Sequence, residues 1–234
     1  MWNRAVNPQR SRSVELALGG AALEADTSGA LYWAAERTLI VADLHLEKGS
    51  YFASRGQMLP PYDSIATLNA LKTVIEYYAP ARVIALGDSF HDQLGAERLS
   101  PDSRDAISAM QAGRDWIWIS GNHDPERIDD IGGTSADEMQ LGPLTFRHQP
   151  EGEDFEIVGH FHPVARVSVR GRSVRRRCFA GSTTRLVMPA FGAFTGGFNI
   201  RNEVFADILG VDFLAHLLGT ERLYSFAAAH CLAD

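Results

Sequence analysis

Residues 39–45 read LIVADLH: four apolar side chains in a row, then an aspartate and a histidine one residue apart. An apolar run this short, cut off by polar residues, reads as a buried strand. The design returns three times, as VIALGD at 83–88, WIWISGNHD at 116–124 and FEIVGHFH at 155–162. Each polar cluster falls at the carboxyl end of its strand, where loops of an open α/β sheet converge on a ligand without interrupting the ladder.

Working outward, Asp63 to Tyr78 places Ile65, Leu68, Leu71, Ile75 and Tyr78 at helical spacing behind the start signal Pro60-Pro61. A second helix lies between the second and third runs, with Ser100 as N-cap, Pro101 at its first position, Asp102 in its first turn and Gly113 as its stop. Strand, helix, strand, helix, strand makes a βαβαβ half with parallel neighbours. Val14 to Leu18 and Leu31 to Trp33 read as short strands before it, and Trp116 and Trp118 alternate on an apolar strand as core. From Leu144 to Val187 strands and tight turns, with a hairpin at Gly171, predict a largely antiparallel sheet; Phe205 to Phe226 predicts a short helix and a closing strand.

The chain has 234 residues, 45% hydrophobic and 22% charged, which suits one soluble α/β domain and excludes a disordered tail or a fibre. A polar leader over 1–12 and a single domain over 13–234 are expected. Apolar runs fall short of the ~18 residues of a membrane span, so no membrane partner and a cytoplasmic location are expected. Cys178 and Cys231 have no neighbour at metal-ligand spacing and read as buried free thiols. The net charge is −7, yet six of the twelve positions from Arg166 to Arg177 are arginine, a basic patch on an acidic body.

The strand-end clusters supply Asp43, His45, Asp88, Asn122, His123, His160 and His162, and His148 in FRHQ adds another imidazole. This is an inventory for two metal ions. Carboxylate and imidazole donors suit Mn²⁺, Fe or Zn²⁺ better than Ca²⁺ or Mg²⁺, and an aspartate is a natural bridge between two cations.

The order D-x-H, G-D, G-N-H-D, H, G-H-x-H over residues 39–165 resembles the calcineurin-like metallophosphoesterases. The resemblance implies an α/β fold, an α/β/β/α sandwich of two facing mixed sheets flanked by helices. It implies one metal on Asp43, His45, Asp88 and His162, and a second on Asp88, Asn122, His148 and His160, with Asp88 shared. His123 would be the catalytic non-ligand histidine, steadied by Asp124. His91 stands where related phosphatases carry an acid and reads as a ligand's partner, a phosphate contact or a structural residue. Longer stretches, among them DLHLEKGSYFASRG at 43–56, RRCFAGS at 176–182 and PAFGAFTGGFN at 189–199, closely resemble the bacterial ligase-associated DNA damage response endonucleases of the PdeM type. That family implies a Mn²⁺-dependent phosphodiesterase cutting DNA, preferentially single-stranded, in association with a helicase and a DNA ligase. Glu47 stands where a glycine is common in relatives.

A DNA strand needs cations for its phosphates and aromatic faces for its bases. Lys48, Arg55, Arg172, Arg175 and Arg177 are the candidates for phosphate, against a plain reading as solvated helix and hairpin surface. Alternation would put Arg170 with Arg172, and Arg175 with Arg177, on common faces. Phe191, Phe194 and Phe198 are candidates for stacking, against ordinary turn packing. The same metal set would serve a small-substrate phosphodiesterase or phosphomonoesterase acting on nucleotides; a non-catalytic scaffold is disfavoured by the full ligand set.

Overall fold

The computed structural model describes residues 12–57, 62–124 and 131–234. Residues 1–11 of the leader and the Pro60-Pro61 signal lie outside the described residues. Arg12, the last leader residue, belongs to the fold: its guanidinium pairs with both oxygens of buried Asp26, at 2.7 and 2.9 Å.

The first sheet runs in chain order: β1 (Ser13–Leu18), β2 (Ala21–Asp26), β3 (Leu31–Trp33), β4 (Thr38–Ala42), β5 (Arg82–Leu86), β6 (Asp115–Ile119) and β7 (Thr134–Ala136). β4 to β7 are parallel, as the βαβαβ pattern requires, and β1 to β3 are antiparallel. A short α1 (Lys48–Ser54) follows β4, and α2 (Asp63–Tyr78) occupies the expected span. α2 buries Leu68, Leu71, Val74 and Ile75 against β4 to β6, each worth about 1.5–3 kcal/mol if fully removed from water. Ile65, expected on that face, is exposed. After the small α3 (Gly95–Arg98), α4 (Pro101–Gln111) starts as read: the Ser103 amide donates to the Ser100 hydroxyl at 3.2 Å.

The second sheet holds β8 (Glu138–Leu141), β9 (Leu144–Arg147), β10 (Glu156–Val158), β12 (Arg172–Gly181), β13 (Arg185–Val187), β14 (Leu214–Leu218) and β15 (Leu223–Ala227), with β11 (Val164–Val169) paired to β12. It is mixed. Most pairs are antiparallel, but β10 runs parallel to both β9 and β13, a departure from the antiparallel expectation. That direction matters, because it brings the carboxyl ends of β9 and β10 to one rim. α5 (Glu203–Leu209) is followed by two strands where one was expected.

Three apolar layers result. Leu39, Val41, Val83 and Trp118 face α2 and α4; Ile40, Ile84, Phe146, Ile157 and Phe179 fill the space between the sheets; Val158, Cys178, Ala180 and Leu217 face α5. The fold is therefore an α/β/β/α sandwich, and both cysteines are buried and free. No helix among the described residues is long and apolar enough to cross a membrane.

Candidate metal centre

Asp43 follows β4, Asp88 follows β5, Asn122 and His123 follow β6, His148 follows β9, and His160 and His162 follow β10. Residues far apart in sequence thus meet on one rim of the sandwich. To turn their side chains onto it, Asp43, His45, Asp88, His160 and His162 all take left-handed backbone, with φ between 44° and 68°. Such a conformation costs roughly 1–2 kcal/mol per non-glycine residue. Loop-to-loop bonds hold it: the His45 amide donates to the Asp88 carbonyl at 2.9 Å, and the His160 amide donates to both Asp43 oxygens at 3.1 Å.

The donor atoms of Asp43, His45 and His162 lie within 4.8 Å of one another, as do those of Asp88, His148 and His160. Asp88 stands between the sets, with Oδ1 3.5 Å from His148 Nε2 and Oδ2 3.9 Å from His45 Nε2. A third set, His45, Asp88 and His123, overlaps both. Within the first group His45 Nε2 and His162 Nε2 are 3.2 Å apart; within the second His148 Nε2 and His160 Nδ1 are 3.2 Å apart. Imidazole nitrogens facing each other beside buried carboxylates make a donor set of the kind that suits cations. His148 Nδ1 bonds the Leu86 carbonyl at 3.1 Å, which orients the ring and directs Nε2 to the centre.

The two carboxylates and the packed rings pull the titrations of the cluster in opposite directions. Burial, then His162, drives the His45 pKa far below its ordinary value, keeping its ring neutral. Burial also disfavours a charged His148, but Asp88 and Asp43 outweigh it and raise the pKa to about 9. Burial would raise Asp88; its bond to His148 and the His123 amide reverse this and lower it.

His123 and Asp124 part company. The His123 ring is half-exposed, its Nδ1 meets the His91 carbonyl at 2.8 Å, and its Nε2 lies 4.0 Å from Asp88 Oδ2. Asp124 is buried and accepts from the Phe90 and Gly121 amides at 3.0 and 3.1 Å, so it ties two loops together, and the His123 ring is held by a carbonyl instead. Burial raises the Asp124 pKa to about 7. The His91 ring stacks on His123 at 5.2 Å and meets Tyr51 at 4.7 Å; burial, then His123, lowers its pKa to about 4. Asn122 is exposed, and its Oδ1 accepts from Gln149 Nε2 at 2.7 Å. Gln149 was not singled out in the sequence, and its adjacency to His148 was the available signal.

The cationic candidates are more occupied than alternation suggests. Arg170 sits in the hairpin turn and not on a strand face. Arg177 is largely buried and donates to the Ala190 and Phe191 carbonyls at 2.6 and 3.3 Å. Arg175 donates to the Gly197 carbonyl at 2.9 Å and to Asp234 at 3.3 Å. Lys48 donates to the Phe194 carbonyl at 3.1 Å, and the Arg55 guanidinium lies 4.2 Å over the Tyr51 ring. Arg172 is exposed at the hairpin end of β12, one strand position out of step with Arg175 and Arg177.

Gly121 shows how tightly the centre is cast. A Cβ there would stand 2.1 Å from the Asp88 nitrogen and 2.3 Å from its Oδ1. Gly121→Ala should therefore displace Asp88, lowering stability by about 1–3 kcal/mol as overpacking does and reducing metal content. Thermal melting and metal analysis check both effects.

Two facing mixed sheets carry on their shared rim an aspartate and histidine cluster that could hold metal ions. The chain is similar to the nuclease MPE of Pseudomonas putida, with a TM-score of 0.70 and 27% identity over 92% of this chain and 100% of that one. The phosphoesterase Yfce of E. coli aligns more loosely, with a TM-score of 0.40 and 12% identity over 82% of this chain and 98% of that one, and adds no weight. No protein-family model matches the chain, nor does any curated protein at a significant level.

Proposed function

We propose that the chain is a dinuclear-metal phosphodiesterase that cuts DNA internally and prefers single strands. The observation that carries this reading is Asp88, whose two oxygens face two separate Asp and His groups on one rim. The similarity to a nuclease over nearly the whole chain supports it. Asp43, His45, Asp88 and His162 would hold one cation, and Asp88, Asn122, His148 and His160 the other. Mn²⁺ is the ion that the family resemblance implies, and the donors suit Fe or Zn²⁺ as well. Two such cations supply Lewis-acid stabilisation of phosphoryl charge and a water nucleophile at neutral pH.

The chain's own contribution centres on His123. With Nδ1 bonded to the His91 carbonyl, its Nε2 is the atom left to carry a proton for the leaving oxygen. Asp124 fixes the loop on which His123 stands. The setting that goes with the family resemblance is DNA repair in the cytoplasm, alongside a helicase and a DNA ligase.

Metal-stripped protein restored with Mn²⁺ should linearise circular single-stranded DNA, act more slowly on duplex, and hydrolyse bis-p-nitrophenyl phosphate. A small-substrate phosphodiesterase is the second reading, favoured by the internal bonds that occupy Arg175 and Arg177. Hydrolysis of bis-p-nitrophenyl phosphate with every DNA left intact would establish that reading and overturn the first.

A further inference from the structure

The loop from Phe191 to Phe198 is built unlike a casual turn. Its first stem is bonded to the metal centre's backbone: the Phe191 amide donates to the Ala42 carbonyl at 2.8 Å and the Gly192 amide to the Asp43 carbonyl at 3.1 Å. Its second stem is bonded on the other side of the centre, where the Val164 amide donates to the Phe198 carbonyl at 2.9 Å. A Cβ on Gly197 would lie 2.2 Å from the His162 carbonyl, so the stem presses on that residue's backbone. The loop thus spans from Asp43 to His162, both in the first donor group.

Phe191 is buried and anchors the loop, whereas Phe194 is 61% and Phe198 58% exposed. Two phenyl rings held in water lose the burial that would normally justify them, and Phe194 also takes left-handed backbone at φ 57°. Four polar side chains hold the loop in this shape. Lys48 takes the Phe194 carbonyl, Arg175 the Gly197 carbonyl, Arg177 the Ala190 and Phe191 carbonyls, and Thr67 Oγ1 accepts the Ala193 amide at 2.9 Å. On one side the loop borders a cleft of about 420 Å³ lined by Arg175, Arg176 and Arg177; on the other, Phe194 lines a slot of about 250 Å³ against α2.

We propose that Phe194 and Phe198 form a stacking platform for unpaired nucleobases of a single-stranded nucleic acid, beside the Asp43 and His162 edge of the metal centre. The proposal rests on the phosphodiesterase reading above and supplies its strand preference: an exposed ring has a partner in an unpaired base, while duplex bases already stack on each other. The adjoining arginine cleft provides the charge that a polyanion needs, on a chain whose net charge is −7. Arg175 and Arg177 in addition fix the platform through the loop carbonyls they engage.

The test compares Phe194→Ala, Phe198→Ala, Phe194→Leu and Phe194→Trp in Mn²⁺-loaded protein. The readout is kcat/KM for a single-stranded oligonucleotide divided by each variant's own kcat/KM for bis-p-nitrophenyl phosphate. Each alanine should lower that ratio about 5- to 150-fold, the range for losing one stacked base. Leucine should behave like alanine, tryptophan should restore the ratio, and the duplex ratio should stay level. The salt dependence of cleavage should not change, because a phenyl ring releases no counterions. If wild type cuts single strands and both alanine variants keep the wild-type ratio, the platform is refuted and the nuclease reading stands. If wild type hydrolyses only the small diester, the nuclease reading falls and the platform with it.

Discussion

An Asp88→Asn protein should purify folded, carry little of either cation, and show no measurable phosphodiesterase activity. Asparagine is the informative replacement because Asp88 sits at φ 44°, a conformation asparagine adopts more readily than alanine. It also keeps an acceptor for the His123 amide, which Asp88 Oδ1 receives at 2.9 Å. What it removes is the anionic charge that faces both donor groups, through Oδ1 to His148 and Oδ2 to His45. Metal analysis of the purified variant should show both ions lost together. Retention of two equivalents of metal would mean that Asp88 does not bridge.

His123→Ala should fail differently. Its ring belongs to one overlapping set with His45 and Asp88, but each main group is complete without it. The variant should therefore keep its metal while turnover of DNA slows by about 10²- to 10⁴-fold, the usual contribution of a positioned acid. A diester whose leaving group departs without a proton should be affected much less. Loss of both ions in this variant would make His123 a ligand and remove it from proton transfer.

The parts of this centre that could be read from the chain are those where residue type and strand end coincide. LIVADLH and FEIVGHFH each give a short buried strand and two donors, so the rim was legible from local pattern alone. The helices were legible because Ser100 and the leucines of α2 follow capping and packing rules that act over a few residues. Direction was not: nothing within residues 156–158 says that β10 runs parallel to both neighbours, because register is settled by partners more than ten residues away. β2 was missed because its alanines, at 21, 22 and 25, are weak strand formers. The arginines misled for a related reason. Their charge is visible in sequence, but the carbonyls that engage Arg177 and Arg175 come from a loop 13 to 22 positions on.

The rim would also make each bound cation a rivet between layers. Asp43 and His45 come from the first sheet and His162 from the second; Asp88 comes from the first, His148 and His160 from the second. Only the overlapping set of His45, Asp88 and His123 lies within one half of the chain, so a nascent chain that has emerged only as far as β7 still lacks the His162 of the first main group and the His148 and His160 of the second. Both main seats would be complete only once the two halves have closed on each other, and an ion held there at a hundred times its dissociation constant would keep them shut by about 2.7 kcal/mol. Supply of metal would in that sense be a late step of assembly, and a protein starved of it would part more easily along that rim.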